Sequence, residues 1–590
     1  MSGSDHAGLV PQAAAREWLS AFETALGRDD VAGAAACLLP DGHWRDLLSA
    51  TWRIETASGR AAIEALLRRT RDGFGARAFA VAPARTPPRW VHRAGRDVIE
   101  LMFDFETAAG AGAGVARLVP DEGGPGGVRA WILLTSLQSL RGHEEASNAC
   151  GSQGKDHYAR DFGAENWEDK RQRARRFADH DPAVLVVGAG QAGLSIAARL
   201  GQLGVDTLII DREARVGDNW RQRYHSLTLH NEVHVNHLPY MPFPTTWPVF
   251  IPKDKLANWF ESYVDSLDLK CWTGTELIAG HYDEQAGRWE VTLRLADGSR
   301  RVMRPGHVVF ATGVSAIAEM PAQPGLDQFK GTVMHSGSYT QGAAWKGRNT
   351  LVLGTGNSAH DVAQDLQASG AQVTMIQRSP TYIVSIQEAQ RVYSLYAEGM
   401  PTDDCDLLAT AMPYPVLRHA YQLSTAVSAR ADKPLLDGLA ARGFRLTEGE
   451  DRTGFQMMYL RRGGGYYFNV GCSDLIADGR VSLLQYDLID RFVPEGVRLK
   501  DGRVLPAELL VMATGYKNQQ EVVRASLGDA VADRIGTVWG IDEGGELRNM
   551  FGPTAQQGLW FIAGSLAQCR IYSKFLALQI KAREVGLVTQ

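Results

Sequence analysis

Two glycine patterns carry the clearest chemistry in this chain. In AVLVVGAGQAGLSIAARLGQLGVDTLIIDRE, Gly188, Gly190 and Gly193 follow the apolar run VLVV and open a helical stretch, and Asp211 closes the next apolar run 23 residues after Gly188. Glycines at this spacing permit a tight turn and bring main-chain N–H groups against a pyrophosphate at a helix N-terminus, while the carboxylate accepts from an adenosine ribose hydroxyl. Strand, loop, helix, strand and acid come in the order a dinucleotide site requires. A second unit, NTLVLGTGNSAHDVAQDLQASGAQVTMIQRSP, repeats the plan with Gly354, Gly356 and the small Ala359, and with Asn357 and Ser358 opening its helix. Its second run ends in Gln377, Arg378 and Ser379 instead of an acid. An acid there would repel a 2′-phosphate and Arg378 can pair with one, so this site favours NADPH, with NADH as the alternative donor.

These loops must be held by strands and turns, and two near-identical segments supply them. VVFATGV (Ala311, Thr312, Gly313) and LLVMATGY (Ala513, Thr514, Gly515) flank the second unit. An apolar strand ending in ATG brings a bare main-chain turn up to a bound dinucleotide. Their order predicts that the second domain, 314–507, is inserted into the first, 182–313 and 508–590, with a helical insert at about 380–442. Near the C-terminus GLWFIAGSLAQCRIYSKFLALQIKARE reads as a last strand, a Gly564–Ser565 turn and a helix whose N-terminus faces the ligand. The predicted fold class is α/β, with two Rossmann-like domains. The six cysteines are scattered, with no CxxC pair and no His at metal-ligand spacing, so neither a metal site nor a protein dithiol is expected, and molecular oxygen is the expected electron acceptor.

The first 142 residues have a different texture. An amphipathic helix, AAAREWLSAFETALGRDDVAGAAACL, precedes the strand-like runs WRDLLSATWRIE, RDVIELMFDFETA, GVARLVP and VRAWILLTSLQS, with a second helix after the first run. Helices on a curved antiparallel sheet fit this order, which resembles the NTF2-like (SnoaL-like) α+β fold. Asp41, His43 and Asp46 are the residues there that an acid–base site would need, although docking, dimer formation or substrate shaping suits the domain better. Residues 143–181 read as a polar linker, and RQRARR within it as a solvated helix face. A net charge of −5 gives no basic excess, so no nucleic-acid or anionic-membrane partner is indicated. No apolar run reaches the roughly 20 residues of a membrane span and the N-terminus lacks a leader pattern, so a cytoplasmic location is expected.

Between the two units lies FKGTVMHSGSY, which fits the FxGxxxHxxx(aromatic) fingerprint of class B flavoprotein monooxygenases. On this motif, and on DNWRQRYHSLTLHNE, PKDKLANWFESYV and RRGGGYYFNVG, the chain resembles the flavin-containing monooxygenase family, most closely its type II members with an N-terminal NTF2-like extension. The resemblance implies FAD and NADPH as cofactors, O2 and a small lipophilic molecule as substrates, and a homodimer. It implies a flavin hydroperoxide that inserts oxygen into a ketone (Baeyer–Villiger) or adds it to soft N or S, against the alternatives of a peroxide-releasing NADPH oxidase or a flavin redox sensor. By the same resemblance Gly188, Gly190, Gln191, Gly193 and Asp211 hold FAD, with Trp220 and Arg221 near the flavin end; Gly354, Gly356, Asn357, Ser358 and Arg378 belong to the NADPH unit, and Thr312, Thr514 and Gly515 of the two ATG turns are cofactor-binding. His230 stands where many relatives place an Asn, with Asn231 beside it; it either tunes the oxygenating species or only packs against the flavin. His335 is a third candidate for chemistry, or else a residue that sets domain registry, with Phe329 and Tyr339 anchored in opposite domains.

Overall fold

Runs such as VLVV and TLII are apolar on both faces, which suits strands covered by helices on either side, and such strands pair in parallel. The computed structural model describes residues 8–145 and 162–588; Cys150 and residues 146–161 of the expected linker lie outside the described residues. Around Gly188 a five-stranded parallel sheet runs in the order Cys271–Trp272, Thr207–Ile210, Val184–Val187, His307–Phe310, Leu559–Phe561. Helices Gln191–Gln202 and Leu566–Glu584 pack against each other beside it. The second sheet, also parallel, orders Thr332–His335, Leu509–Met512, Asn349–Leu353, Gln372–Gln377, Ser482–Gln485.

This pairing corrects one expected boundary. Strand Leu509–Met512 and the second ATG turn sit in the middle of the second sheet, so the chain does not return to the first unit at residue 508. It returns by the helix Gln519–Leu527, where Leu527 packs against the strand Glu276–Asp283. The run LLVM reads alike in either sheet, and only its register against Leu351 to Leu353 assigns it. The linker aromatics are corrected likewise: Phe329 joins Leu351, Leu353 and Met512 on one face of the second sheet, and Tyr339 joins Val352, Val373 and Val511 on the other. Both therefore anchor in one domain. RQRARR lies in the helix Trp167–Arg176, which begins at an Asn166–Asp169 capping box and buries no residue.

The N-terminal unit is α+β. Its sheet orders Ile54–Ser58, Leu38–Leu47, Val128–Leu137, Ala111–Pro120, Arg96–Glu106, Arg77–Val81, with Arg89–Arg93 also on Arg96–Glu106. The sheet is mixed where an antiparallel one was expected, because Leu38–Leu47 and Val128–Leu137 pair in parallel. WRDLLSATWRIE is two strands joined by a turn in which Asp46 accepts from the hydroxyls of Ser49, Thr51 and Thr135. With its oxygens so occupied Asp46 shapes the turn, and His43 bonds Ser58 instead of Asp46. Helices Pro11–Gly27 and Arg60–Phe74 cover one face over Trp18, Phe22, Trp44, Phe103 and Phe105.

The other face of that sheet meets the rest of the chain, and charge decides how. Helix Thr402–Thr410 of the insert carries Asp404 in its first turn, bonded by Arg85 at 2.9 Å and Thr86 Oγ1 at 2.7 Å. Near its C-terminus Arg45 donates to Thr410 O at 2.7 Å, and Arg117 donates to Leu408 O at 3.2 Å and Ala411 O at 2.6 Å. Acid at one end and arginines on the free carbonyls at the other both oppose the helix dipole. Arg117 and its carboxylate Glu100 are each only 2% exposed, and Arg93 bonds Glu100 as well. Burial pushes the Glu100 carboxyl up, but Arg117 and Arg93 overcome this and hold it at about 2. A carboxyl depressed in the folded state adds stability above its usual 4.5, and that contribution is lost as pH falls toward 2. Glu100→Gln should destabilise the protein by about 3–5 kcal/mol at pH 7, and the gap from the wild-type should narrow below about pH 4.5, measured by denaturant unfolding at several pH values.

Candidate active site

At Gly188 φ is 111°, and a Cβ there would sit 2.7 Å from Ala311 O, so the loop lies directly on the first ATG turn. A Cβ on Gly193 would meet Gly188 O at 1.8 Å, which obliges glycine where the helix crosses the loop. Gly190 caps the helix Gln191–Gln202 without a side-chain bond, leaving first-turn N–H groups open to an anion. Asp211 is pinned by the N–H of Ala189 at 2.6 Å and of Glu213 at 2.8 Å, and its burial raises its pKa. Gln191 accepts from Trp220 Nε1 and donates to Gly564 O, each at 3.3 Å. The Thr312 hydroxyl is buried without a protein partner. Glycine cradle, uncapped helix, acid and orphaned hydroxyl together fit the pyrophosphate, ribose and ribityl groups of FAD.

The second unit repeats the geometry. Gly354 has φ 124°, and its Cβ would lie 2.5 Å from Ala513 O; Gly356 caps Asn357–Ala368, again without a side-chain bond. Asn357 is spent on the N–H of Phe468 at 3.0 Å, Ser358 lies in the first turn, and Thr514 donates its hydroxyl to Glu319 O at 2.5 Å. Arg378 is exposed just beyond the strand Gln372–Gln377, with no carboxylate partner among the described residues, as a 2′-phosphate contact requires.

One cavity of about 1560 Å³ joins Gly188, Gly190, Gln191, Asp211, Trp220 and Thr312 to His230, Asn231 and His335. The NADPH-loop residues and Gly193 lie outside its walls. Arg221 is also outside, held by Asp218 at 2.5 Å and Glu261 at 3.1 Å, and Arg223 lines the cavity in its place. His335 is correspondingly a positioning residue. Its Nδ1 accepts from Gly337 N–H and its Nε2–H donates to Gly515 O, both at 3.0 Å, leaving no ring nitrogen for proton transfer. His230 is open to the cavity and enclosed by protein, with its ring 4.7 Å from Phe468, and burial lowers its pKa to about 4. Asn231 Nδ2 donates to Tyr393 OH at 3.3 Å.

Beyond these residues the cavity opens into a chamber that motif reading missed. Tyr393, Tyr421, Tyr459, Tyr466 and Phe455 form its aromatic wall, and Arg45, Arg93 and Arg117 of the N-terminal unit close it. A signal was present: an arginine inside the apolar runs HWRDLL and VARLV must be buried and therefore paired.

Residues 181–421 match the family described as flavin-binding monooxygenase-like. Over this stretch the chain is similar to flavin-binding monooxygenases. It is an enzyme, and FAD and NADPH are its cofactors. It is 28% identical over 338 residues to indole-3-pyruvate monooxygenase YUCCA1 of Oryza sativa subsp. japonica, covering 57% of this chain and 77% of that protein. To the probable indole-3-pyruvate monooxygenase YUCCA10 of Arabidopsis thaliana it is 28% identical over 341 residues, covering 57% of this chain and 82% of that one. Among solved structures, a cyclohexanone monooxygenase with ε-caprolactone bound superposes with a TM-score of 0.51 at 19% identity, over 69% of this chain and 89% of the other. An NADP+-bound mutant of the Rhodococcus sp. Phi1 cyclohexanone monooxygenase gives 0.50 at 18%, over 69% and 86%.

Gly354→Ala should weaken NADP+ binding at least about tenfold, since a left-handed backbone position and a carbonyl clash both oppose the Cβ. FAD content, read from flavin absorbance, should be unchanged. Arg378→Ala should raise KM for NADPH about 10- to 100-fold and leave KM for NADH unaffected.

Proposed function

We propose that this flavin-dependent monooxygenase inserts one atom of O2 into a small lipophilic ketone, with a soft sulfur or nitrogen compound as its second substrate class. The balance is ketone, O2, NADPH and a proton giving ester, NADP+ and water. FAD, when bound, supplies the redox and oxygen chemistry. The observation that carries the reading is the aromatic chamber with His230 at its edge: desolvation lowers the pKa of this ring, which as neutral imidazole can donate one hydrogen bond and accept another, beside the amide of Asn231. Burial also keeps the phenols of Tyr393, Tyr421 and Tyr466 protonated, so the wall donates hydrogen bonds without carrying charge. Such a wall desolvates a lipophilic substrate and keeps water from the reacting atoms. We read the N-terminal α+β unit as NTF2-like and as part of this wall.

The purified yellow protein, given NADPH and O2, should convert phenylacetone to benzyl acetate and a thioether to its sulfoxide. Stoichiometric hydrogen peroxide with no oxygenated product from any substrate would make it an NADPH oxidase instead. His230→Phe should retain FAD and lower product formed per NADPH about tenfold, the effect of one lost hydrogen bond. Because the His230 ring titrates near 4, the wild-type rate should show no histidine step from this residue between pH 5.5 and 8.

A further inference from the structure

The chamber receives its inner charges from a different part of the chain than its cofactor sites. Arg45, in the strand Leu38–Leu47 of the N-terminal unit, reaches Glu546 with two parallel bonds, Nε to Oε1 at 2.8 Å and Nη2 to Oε2 at 2.5 Å. Both side chains line the cavity and both are nearly buried, at 7% and 15% exposure. Thr56 Oγ1 adds a third bond to Glu546 at 3.1 Å. Arg45 is held from behind as well, by Thr410 O at 2.7 Å and by the Tyr572 hydroxyl at 3.3 Å, so its guanidinium would keep its direction without the carboxylate. The other arginines that the N-terminal unit places in the inner wall are neutralised too: Arg117 by Glu100, and Arg93 by Glu100 and Glu398. The two lining arginines without an ion pair stand elsewhere: Arg53 is solvent-exposed and Arg223 neighbours His335.

We propose that the Arg45–Glu546 pair, one partner from each side of the domain boundary, is the charge filter of the substrate chamber. Closed, it leaves no unpaired cation in the inner wall, away from Arg53 and Arg223, so an anionic substrate there would shed its hydration without gaining a counter-ion, and uncharged substrates are selected. Opened by loss of Glu546, it presents a preorganised guanidinium fork of the kind that binds carboxylates. The N-terminal unit thereby contributes a specificity-determining residue to the reaction. This inference rests on the monooxygenase reading above for what the chamber holds, and on the ion pair for which molecules it admits.

The test compares a neutral and an anionic ligand of matched shape on FAD-loaded enzyme. Phenylacetone and phenylacetate are titrated calorimetrically without NADPH, and turnover of phenylacetone is compared with that of phenylpyruvate. Wild-type enzyme should bind phenylacetate at least about 100-fold more weakly than phenylacetone. In Glu546→Gln the ratio of the two affinities should move about 10- to 100-fold toward the carboxylate, and Arg45→Gln/Glu546→Gln should return it toward the wild-type value. Equal binding of both ligands by the wild-type, or an unchanged ratio in a Glu546→Gln enzyme that retains FAD, overturns the filter. If Glu546→Gln loses FAD, Glu546→Asp takes its place, with an expected shift of about threefold in the same direction, and no shift overturns the filter again. Absence of oxygenated product with every substrate would sink the monooxygenase reading, while the calorimetric ratio still judges the filter.

Discussion

The molecule depends on one close approach made twice. In each parallel sheet one strand ends in a left-handed glycine lying against the carbonyl of the ATG turn of its own sheet, Gly188 on Ala311 and Gly354 on Ala513. No side chain fits between, so loop and turn form one surface of bare main chain at the mouth of the sheet. The helix that follows begins without a side-chain cap in both cases, and its free N–H groups point out of that surface. Two anionic ligands can therefore be held by main chain alone, and the side chains nearby are released for other work. Asp211 and Arg378 show the division: a carboxylate pinned by main-chain N–H groups follows the strand Thr207–Ile210, and an exposed guanidinium follows the strand Gln372–Gln377.

Positioning between the two sheets is handled by groups that look catalytic in isolation. His335 joins its own Gly337 to Gly515 and so ties the linker to the second ATG turn. Tyr224, from the segment after the first nucleotide unit, buries among Val352, Val362 and Tyr339 of the second and donates to Asp361. Burial lifts that carboxyl to about 6, which its hydrogen bond from Tyr224 only partly opposes. His335 and Tyr224 are thus satisfied within the protein, and His230 lines the cavity.

The chamber is closed by electrostatics as much as by packing. The insert helix Thr402–Thr410 is gripped at its acidic start by Arg85 and near its carbonyl end by Arg45 and Arg117, so the N-terminal sheet serves as its cap. Arg570 holds Asp406 of the same helix from the C-terminal helix, at 2.7 Å and 2.8 Å. Four arginines from two distant parts of the chain thus fix one short helix, and with it the aromatic wall it supports.

Local pattern was enough for the two nucleotide units and for the acid and the arginine at their strand ends, because each depends on spacing within about 30 residues; in the N-terminal unit it left out the strands Arg77–Val81 and Arg89–Arg93. It misled where a strand could serve either sheet: LLVM is apolar on both faces, and pairing register alone put it beside Asn349–Leu353. It also left His335 between chemistry and domain registry and placed Arg221 near FAD, and the polar atoms of both turn out to be spent on neighbours. By itself the sequence determined the dinucleotide chemistry, since glycine and charge at short spacing act through main-chain geometry that any such fold reproduces. Only the tertiary structure decided what surrounds the cavity, because Arg45 and Glu546 are 501 residues apart and meet only when the N-terminal sheet docks on the rest of the chain.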